Sequence, residues 1–278
     1  MSAPAKAFVI GHPIAHSRSP LIHGTWLKAY SIAGSYEAID VAPEALPDFI
    51  AALRAGAFAG GNVTIPHKET VFALCDEVDP LARRIGAVNT LVSRHGKVSG
   101  TNTDYLGFLG NLDQEAPGWD AARELAIVIG AGGAARAVLV ALAERGFSRI
   151  AILNRTADKA KALAAEMGPQ FSGHALSGFA GLAPQASLLV NTSSIGMHGS
   201  RFDGLPLDAL PETALVTDIV YTPLETPLLA EARARKLRTV DGLGMLLHQA
   251  VPGFEAWFGT RPEVTAQLRE KIEATLEH

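Results

Sequence analysis

The sequence predicts an α/β fold made of two domains, for three reasons. Its 278 residues exceed the roughly 100–200 residues of a typical domain. Short runs of apolar, β-prone residues alternate with longer helical patterns, and this alternation is typical of parallel sheets flanked by helices. The alternation is interrupted by a hairpin pattern and begins again at Leu125. A second β/α set, and hence a second sheet, is therefore expected.

The first part of the chain predicts a sheet with helices between its strands. Strands are expected at Ala7–Ile10, Tyr36–Val41 and Gly60–Val63. Helices are expected at Ser19–Tyr30, Pro43–Ala55 and Pro66–Cys75. A turn at His95-Gly96 predicts a hairpin of Thr90–Val92 with Val98–Gly100. A long helix is expected to begin near Asp104, where the first domain ends.

The second part predicts another sheet followed by two helices. Its strands are expected at Leu125–Ile129, Ile150–Leu153, Leu188–Val190, Leu215–Asp218 and Thr239–Val240. Its helices are expected at Ala134–Arg145, Leu243–Phe258 and Pro262–Leu276. No strand follows the last two helices, so we expect them to pack back onto the first domain. Pro252 is expected to bend or divide the first of these two.

Composition excludes several classes of protein. With 48% hydrophobic and 19% charged residues, the chain can bury large cores. The formal net charge of −4, without a basic block, argues against a nucleic-acid partner. No apolar run approaches the roughly 20 residues that span a bilayer, so no membrane association is expected. The single cysteine, Cys75, cannot form an internal disulfide and has apolar neighbours, so we expect an unreactive core thiol in a cytoplasmic protein.

A glycine-rich turn predicts a dinucleotide site. It matches G-x-G-x-x-G/A between an apolar strand and a helix, and its residues are Gly130, Ala131, Gly132, Gly133, Ala134 and Ala135. The first glycine permits a tight turn, and the second lets the backbone approach a pyrophosphate. The free amides of the helix N-terminus can then bind the anion. Glycine turns are common, so the prediction depends on the flanking strand and helix.

The next strand indicates which dinucleotide is bound. NAD-binding proteins usually carry an acid about 20 residues past the glycine turn, for the ribose hydroxyl. Here the strand ends in Asn154, Arg155 and Thr156, followed by Lys159, with no acid at its tip. A guanidinium grips a phosphate in fork geometry, whereas a carboxylate would repel it. We therefore predict NADP as the cofactor, the alternative being that Arg155 is a solvated loop residue.

The stretch NVTIPHK, residues 62–68, places a lysine at the start of a helix. Proline is favoured at the first helical position, so Pro66 is expected to begin the helix and Lys68 to lie in its first turn. The helix dipole there disfavours a cation and would lower the lysine pKa. Such a position suits a lysine that transfers a proton. An ordinary solvated lysine is the alternative.

A second polar segment, Gly11–Pro20, directly follows the first strand. Its proline at the first helical position predicts Ser19 as the N-cap. Hydroxyl groups at a helix N-terminus can bind a carboxylate; the alternative is that Ser19 only caps its helix. His12 and His16 are separated by a proline and do not share a helical face, so no metal site is predicted.

Two further polar residues stand out. Asn89 precedes the hairpin, and Asp104 begins the helix that leaves the first domain. A helix start stabilises a carboxylate, so Asp104 should stay ionised and pair with Lys68 for proton transfer, although it would itself raise the lysine pKa. A simple helix cap is the alternative for Asp104. In the helix Leu243–Phe258, Gln249 lies off the apolar stripe and is expected to face a ligand.

Together these segments resemble those of shikimate dehydrogenases, over nearly the whole chain and in one unbroken order. The matching stretches are Gly11–Pro20, Asn62–Lys68, Gly86–Thr90, Asn102–Asp104, Gly130–Ala134, Asn154–Thr156, Asn191–Met197, Asp218–Pro223 and Gly242–Gln249. The resemblance implies reversible NADPH-dependent reduction of 3-dehydroshikimate to shikimate, in aromatic amino-acid biosynthesis. It also implies a substrate-binding and catalytic domain, residues 1–104 plus 242–278, with a mainly parallel sheet. Residues 105–241 would form a Rossmann-like NADP-binding domain across a cleft.

The resemblance implies roles for individual residues on the substrate side. The residues that would bind substrate are Ser17, Ser19, Thr64, Lys68, Asn89, Asp104, Tyr221 and Gln249. Hydroxyls of the two serines, with Tyr221, would hold the carboxylate. Thr64, Asn89 and Gln249 would bind ring hydroxyls. Lys68 and Asp104 would flank the reacting carbon, with the lysine as the acid/base group.

Roles on the cofactor side follow from the same resemblance. The glycine turn would hold the pyrophosphate, and the four polar residues at and after the next strand would hold the adenosine 2′-phosphate. Ile219, Gly242 and Met245 would line the nicotinamide end. Lys159 stands where other members carry arginine, which makes its phosphate contact the least secure of the set.

Two alternative functions remain open at this point. A quinate/shikimate dehydrogenase of the same fold would use NAD and carry an acid after the Asn-Arg pair, where this chain has Thr156. A sensor that binds NADP and a small acid without turnover would need neither Lys68 nor Asp104. A serine hydrolase is excluded because no G-x-S-x-G elbow occurs. The chain is expected to be a monomer or a homodimer.

Overall fold

The structure, a computed structural model, describes residues 4–276. This part of the chain forms two compact units. Unit 1 comprises residues 4–107 and Leu247–Ile272, and unit 2 comprises residues 108–246 and 273–276. Within residues 4–276, no helix is both long and apolar enough to cross a membrane.

Unit 1 is built on a six-stranded mixed sheet. Its strands are β1 Ala5–Gly11, β2 Gly34–Asp40, β3 Gly60–Val63, β4 Glu77–Val78, β5 Thr90–Arg94 and β6 Lys97–Thr101. The helices of this part are α1 Ser19–Ala29, α2 Leu46–Arg54, α3 Lys68–Leu74, α4 Pro80–Ile85 and α5 Asp104–Glu115, of which the last continues into unit 2. The strand order is β2-β1-β3-β5-β6-β4. β1 is parallel to both its neighbours, whereas β5 is antiparallel to both β3 and β6.

Alternate residues of β1 pack into two different hydrophobic cores, one on each face of this sheet. Phe8 and Ile10 pack into a cluster on one face, and Ala7 and Val9 into a cluster on the other. Side chains alternate across a strand, so a strand covered on both faces reads as a continuous apolar run. This is why the predicted first strand carries no polar alternation.

Unit 2 is a doubly wound parallel sheet. Its strands are β7 Leu125–Ile129, β8 Arg149–Asn154, β9 Phe171–Ala175, β10 Leu188–Asn191, β12 Leu215–Asp218 and β13 Arg238–Val240, with β11 Ile195–His198 outside the sheet. Its helices are α6 Gly133–Glu144, α7 Ala157–Met167, α8 Phe179–Leu182 and α9 Pro227–Ala234. The order β13-β12-β10-β7-β8-β9 is that of a Rossmann fold, with a topological switch point between β7 and β10.

The last two helices are α10 Leu243–Phe258 and α11 Ala266–Glu273. From Leu247 onward they supply aromatic residues to unit 1. The Trp257 indole Nε1 donates to Leu91 O at 2.8 Å, and Trp26 Nε1 donates to Glu263 O at 3.0 Å. These hydrogen bonds tie the carboxyl-terminal segment to the amino-terminal sheet.

Most predicted elements are confirmed, four of them at both ends. These four are Gly60–Val63, Leu125–Ile129, Leu215–Asp218 and Leu243–Phe258. The helix expected at Pro43–Ala55 is a 3-10 turn, Pro43–Ala45, followed by α2. The short elements β4, α4 and β11 were not predicted, and neither were α7, β9 and α9, because they lie between stronger apolar runs.

Two predictions about prolines and helix ends are wrong, and for Pro252 one of the two expected effects, division of the helix, is absent. Pro66 does not begin a helix: it lies in a turn behind a cis peptide bond with Ile65, and α3 begins at Lys68. Pro252 does not divide α10, which runs unbroken through it. The final helix begins at Ala266 rather than at Pro262 and ends at Glu273.

Candidate active site

Lys68 and Asp104 form a close ion pair in unit 1. Lys68 is the first residue of α3 and Asp104 the first of α5. The Nζ–Oδ2 distance is 2.5 Å, and the side chains are only 16% and 7% exposed. His67, the N-cap of α3, is buried and its Nε2 lies 2.7 Å from Val41 O, which fixes the backbone next to the lysine. The predicted pairing of these two residues is therefore present.

Asn89 connects this ion pair to the sheet. Its Nδ2 donates to Asp104 Oδ1 at 2.8 Å and to Thr103 Oγ1 at 3.1 Å, and lies 3.4 Å from Gln249 Oε1. Its Oδ1 accepts from the backbone N–H of Thr103 at 2.8 Å. Asp104 N donates in turn to Asn102 Oδ1 at 3.1 Å. The carboxylate is thus held at both oxygens, by Lys68 at one and by Asn89 at the other.

Behind Asn89 lies a set of buried polar side chains to which the sequence reasoning assigned no role. Thr90 Oγ1 donates to Asn89 Oδ1 at 2.9 Å, and Asn62 Nδ2 donates to Thr90 Oγ1 at 3.1 Å. Tyr36 OH donates to Asn62 Oδ1 at 2.7 Å. A signal was available for Asn62, because an amide in an otherwise apolar four-residue strand must find a partner. Tyr36 gave no such signal.

Ser17 and Ser19 lie together at the start of α1, but the predicted cap is wrong. The N-cap is Arg18, and Ser19 is the first helical residue with proline at the second position. Proline is tolerated throughout the first turn, so its position did not fix the boundary to one residue. Ser19 is buried, Ser17 is half-buried, and the Ser19 N–H donates to Ser17 Oγ at 3.3 Å.

Thr64 follows β3 and is half-buried. Its approach to the first strand depends on Gly11, where an added Cβ would stand 2.6 Å from Thr64 Cγ2. Gln249 is buried on α10, and so is Met245 one turn earlier. Both side chains are therefore shielded from solvent. Tyr221 is half-buried and belongs to unit 2, as does Met245.

The glycine turn of unit 2 has the geometry that a pyrophosphate requires. Gly130 has φ +118°, a conformation that favours glycine. An added Cβ there would stand 2.5 Å from Thr192 Oγ1, which itself donates to Ile129 O at 2.8 Å. The turn therefore lies at the switch point, beside the residue that follows β10. α6 begins at Gly133 with an exposed Gly132 as N-cap, and its first amides can receive an anion.

The candidate 2′-phosphate residues lie where β8 meets α7. Asn154 ends the strand, and its Nδ2 donates to Thr156 O at 3.0 Å. Arg155, Thr156 and Lys159 are exposed, and within residues 4–276 no ion pair engages either of the two cations. The acid nearest to them in sequence, Asp158, pairs with Lys161 at 3.4 Å. Two unengaged cations at a helix start fit a phosphate group.

Asp218 is a buried carboxylate that the sequence reasoning did not assign. Its Oδ1 accepts from Asn191 Nδ2 and from the Val220 N–H, both at 2.9 Å, and its Oδ2 accepts from Thr226 Oγ1 at 2.8 Å. Desolvation raises the pKa of Asp218 to about 6, and these hydrogen bonds oppose the shift. The carboxylate thereby fixes the segment that begins with Ile219.

Ile219 and Gly242 lie against each other in unit 2. An added Cβ at Gly242 would stand 2.4 Å from Ile219 O, so only glycine lets the two backbones approach. The Ile219 N–H donates to Asn191 O at 3.0 Å. These two residues of the predicted nicotinamide end are therefore adjacent, at the carboxyl end of β12.

A Rossmann sheet with a glycine turn at its switch point, on one chain with a buried Lys–Asp pair, defines the class of two-domain α/β dehydrogenases. Three family models match in order along the chain. They describe a shikimate dehydrogenase substrate binding domain (residues 9–91), a shikimate/quinate 5-dehydrogenase (113–227) and a shikimate 5′-dehydrogenase C-terminal domain (242–271). The chain belongs to the shikimate dehydrogenase family.

Relatives and solved structures agree with this family. The NADP(+) shikimate dehydrogenase of Mesorhizobium japonicum is 58% identical over 99% of this chain and 98% of its own, and that of Brucella abortus is 54% identical over 99% and 96%. The crystal structure of shikimate 5-dehydrogenase from Thermus thermophilus, in complex with NADP(H) and shikimate, has 39% identity and a TM-score of 0.87, covering 98% of this chain and 99% of that one.

The fold alone does not separate shikimate from quinate enzymes. The quinate dehydrogenase of Corynebacterium glutamicum in complex with NAD has a TM-score of 0.89, at 31% identity, over 98% of this chain and all of that one. Substrate and cofactor must therefore be decided by particular side chains rather than by the overall architecture.

Proposed function

We propose that this protein catalyses the reversible, NADP-dependent reduction of 3-dehydroshikimate to shikimate, in aromatic amino-acid biosynthesis. The observation that carries the proposal is the Lys68–Asp104 pair, in which the carboxylate is buried and the lysine is half-buried; the two groups lie 2.5 Å apart and Asn89 bonds to the second carboxylate oxygen. Binding alone needs neither an acid nor a base, and a buried ion pair is not by itself a stabilising device. A proton-transfer role accounts for its presence.

In the proposed site, each substrate group has a chemical counterpart. Ser17 and Ser19 would donate hydrogen bonds to the substrate carboxylate near the start of α1, with help from Tyr221. Thr64, Asn89 and Gln249 would bind the ring hydroxyls. The contact between Asn89 Nδ2 and Gln249 Oε1 is 3.4 Å long, so a substrate hydroxyl can replace it at little cost.

The cofactor residues fit the two charged parts of NADP. Gly130, with its positive φ, and the first amides of α6 suit a pyrophosphate, and an added Cβ at Gly130 would clash with Thr192 and disturb this turn. The set that would hold the 2′-phosphate is Asn154, Arg155, Thr156 and Lys159. Ile219, Gly242 and Met245 would line the nicotinamide end. When bound, NADPH supplies the hydride for the substrate ketone.

Lys68 supplies the proton in the direction of reduction. The ammonium group has three protons, and Asp104 engages only one of its N–H groups, so another can be donated to the forming alkoxide. In the direction of oxidation, the same nitrogen accepts the proton of the substrate hydroxyl. Asp104 orients the amine. Asn89 keeps the second carboxylate oxygen occupied, so the carboxylate does not rotate away.

We also propose that the two domains have different functions. Residues 1–104 plus 242–278 would bind substrate and carry the catalysis, and residues 105–241 would bind NADP. The reaction requires the two bound molecules to meet. We also propose a cytoplasmic enzyme acting as a monomer or homodimer, with a small molecule as its substrate. A single cysteine, whose pKa burial raises to about 11, fits a reducing compartment.

A spectrophotometric assay at 340 nm tests this function. Shikimate and quinate are each assayed with NADP and with NAD, and shikimate with NADP is expected to give the highest kcat/KM. A preference for quinate with NAD would instead identify the quinate enzyme. The absence of any absorbance change with all four pairs, despite measurable binding of NADP and shikimate, would identify a sensor.

A further inference from the structure

A continuous chain of buried hydrogen bonds runs from the core of unit 1 to the carboxylate of Asp104. We call it the polar chain, and its members are Tyr36, Asn62, Thr90, Asn89 and Asp104. Consecutive members are linked at 2.7, 3.1, 2.9 and 2.8 Å. Every member is buried, so water does not compete for these bonds. None of the first three touches the Lys68 amine.

Main-chain groups fix the orientation of both amides in the polar chain. The amide oxygen of Asn89 must face the Thr103 N–H, because a backbone N–H can only donate. Its nitrogen therefore faces Asp104. The nitrogen of Asn62 lies 3.3 Å from Asn89 O, and a carbonyl can only accept. The oxygen of Asn62 consequently faces the Tyr36 hydroxyl.

Thr90 links the two amides, because its hydroxyl bonds to both of them. Its hydroxyl has one proton and accepts from Asn62 Nδ2, so that proton is available for the acceptor oxygen of Asn89. Three hydrogen bonds, from the Thr90 hydroxyl, the Thr103 hydroxyl and the Thr103 N–H, then hold that oxygen and keep the amide nitrogen toward the carboxylate. Without the Thr90 hydrogen bond the amide is held less firmly, which weakens its bond to Asp104.

Tyr36 lies at the end of the polar chain away from Asp104, and its hydroxyl donates a hydrogen bond to Asn62. Burial raises the pKa of the Tyr36 phenol well above its ordinary value, so the hydroxyl keeps its proton. The ring stacks on His23, with centroids 3.9 Å apart and planes inclined by 13°. Burial also lowers the pKa of His23 to about 3, so the stacked ring stays neutral near pH 7.

We propose that Tyr36 and Asn62 are positioning residues, which act through Thr90 to hold the Asn89 amide as a donor to Asp104. This inference rests on the proposed function, because the group being positioned is the carboxylate of the proposed acid/base pair. Loss of the Tyr36 hydroxyl should lower kcat, because the bond to Asn62 is lost. The hydroxyl also has a hydrogen bond with Ser19, a proposed ligand of the substrate carboxylate, so a change in the shikimate KM would report that second contact.

The experiment compares Tyr36→Phe with Tyr30→Phe. Tyr30 lies in the same unit, and its hydroxyl accepts from the Glu263 N–H at 3.1 Å, outside the polar chain. Removing the neutral hydrogen bond to Asn62 should lower kcat about three- to tenfold in Tyr36→Phe. Tyr30→Phe should keep the wild-type kcat. A Tyr36→Phe enzyme with wild-type kcat would overturn the proposal.

A double-variant cycle separates positioning from general destabilisation. If the two residues act in one chain, Asn62→Ala with Tyr36→Phe should lose no more activity than Asn62→Ala alone. Losses that simply multiply would show independent effects and reject the chain. Should Asn62→Ala fail to fold, the Tyr36→Phe comparison still decides.

A readout without turnover distinguishes this inference from the proposed function. The side-chain amide resonances of Asn89, followed by ¹H–¹⁵N NMR in the free protein, should shift in Tyr36→Phe and stay in place in Tyr30→Phe. If they shift while the wild-type protein reduces no 3-dehydroshikimate, the chain exists and the function is wrong. If they stay in place in an active enzyme, the function stands and the positioning role falls.

Discussion

The two candidate ligand sites are prepared in opposite ways. In unit 1 the charged groups already bind each other: Lys68 holds Asp104, and Asn89 holds the other carboxylate oxygen. In unit 2 the cations Arg155 and Lys159 are exposed, and no ion pair within residues 4–276 engages them. The charged groups of the first site thus contact each other, whereas the two cations of the second face solvent.

This difference follows from what each site has to do. A proton must be transferred at a defined distance, and groups held in place beforehand lose no further entropy during the reaction. A phosphate only has to be held, and a flexible cation can close around it. Substitutions in unit 1 should therefore affect turnover, and those at Arg155 or Lys159 should affect cofactor binding.

The largest effect is expected for Lys68→Ala. Removing an acid/base group commonly costs about 10²–10⁴-fold in rate, so kcat should fall by this factor with little change in the shikimate KM. Lys97→Ala is the matched control, because Lys97 is an exposed lysine of unit 1 that pairs with Glu77 at 2.8 Å. Steady-state kinetics on both variants decide. A normal kcat in Lys68→Ala would remove the lysine from the mechanism.

Asp104→Asn should have the next largest effect. The neutral amide keeps the shape of the side chain but loses the charge that orients the amine, and a charge-assisted hydrogen bond is worth roughly tenfold to a hundredfold in rate. We expect kcat to drop by that factor. Asp79→Asn, a change at a helix N-cap elsewhere in unit 1, should leave kcat intact. Equal turnover in Asp104→Asn and the wild type would show that the carboxylate only caps α5.

Arg155→Ala tests whether a substitution in unit 2 affects cofactor binding rather than turnover. We expect the KM for NADP to rise by about tenfold, because an exposed guanidinium contributes less than a buried one, while the KM for NAD and the melting temperature without cofactor stay unchanged. Arg149→Ala is the control, since Arg149 lies at the opposite end of β8 and donates to Gln185 Oε1. An unchanged ratio of the two KM values would reject NADP selection by Arg155.

The smallest effect on turnover is expected for Asp218→Asn. This variant tests the contribution of the buried Asp218 carboxyl group to the stability of unit 2. Burial raises the folded pKa of this carboxyl from 3.8 to about 6. Its contribution to stability is therefore full below pH 3.8 and is lost as the pH rises through 6. From 6 − 3.8 = 2.2 pKa units, the loss is of the order of 3 kcal/mol.

Chemical denaturation at a series of pH values measures this contribution. The wild type should lose stability relative to Asp218→Asn between pH 4 and pH 6.5, and kcat at pH 7 should differ by less than about threefold, because an amide still bonds to Thr226 and the Val220 N–H. Parallel pH profiles for the two proteins would show that the carboxyl titrates normally. Asp208→Asn, an exposed aspartate of unit 2, is the control.

The regular parts of the fold were predictable because local physics specifies them. Apolar runs bounded by turns gave Leu125–Ile129 and Leu215–Asp218 at both ends, and the glycine turn was predictable from its spacing. The first residue of a helix was harder to predict from a proline. Proline is common both at the first helical position and in turns, and at Pro66 the chain adopts a turn. Such choices depend on contacts with distant residues.

The site was predictable only in part, for a related reason. Lys68 and Asp104 stood out because a charge at a helix start needs an explanation, and their pairing is present in the structure. Tyr36 and Asn62 act through partners that lie 26 to 28 residues away along the chain. A tyrosine in a strand is ordinary, so no local pattern distinguished it from a core residue.

The order in which the ribosome makes this chain has a consequence for its assembly. Trp257 donates to Leu91 O, and Glu263 O accepts from Trp26, so unit 1 cannot complete its aromatic core until residues 257 to 263 have been synthesised. Most of unit 2, by contrast, is one uninterrupted stretch, residues 108–246, to which residues 273–276 are added. Domains usually fold in the order of their synthesis, but here the later-synthesised half can mature first.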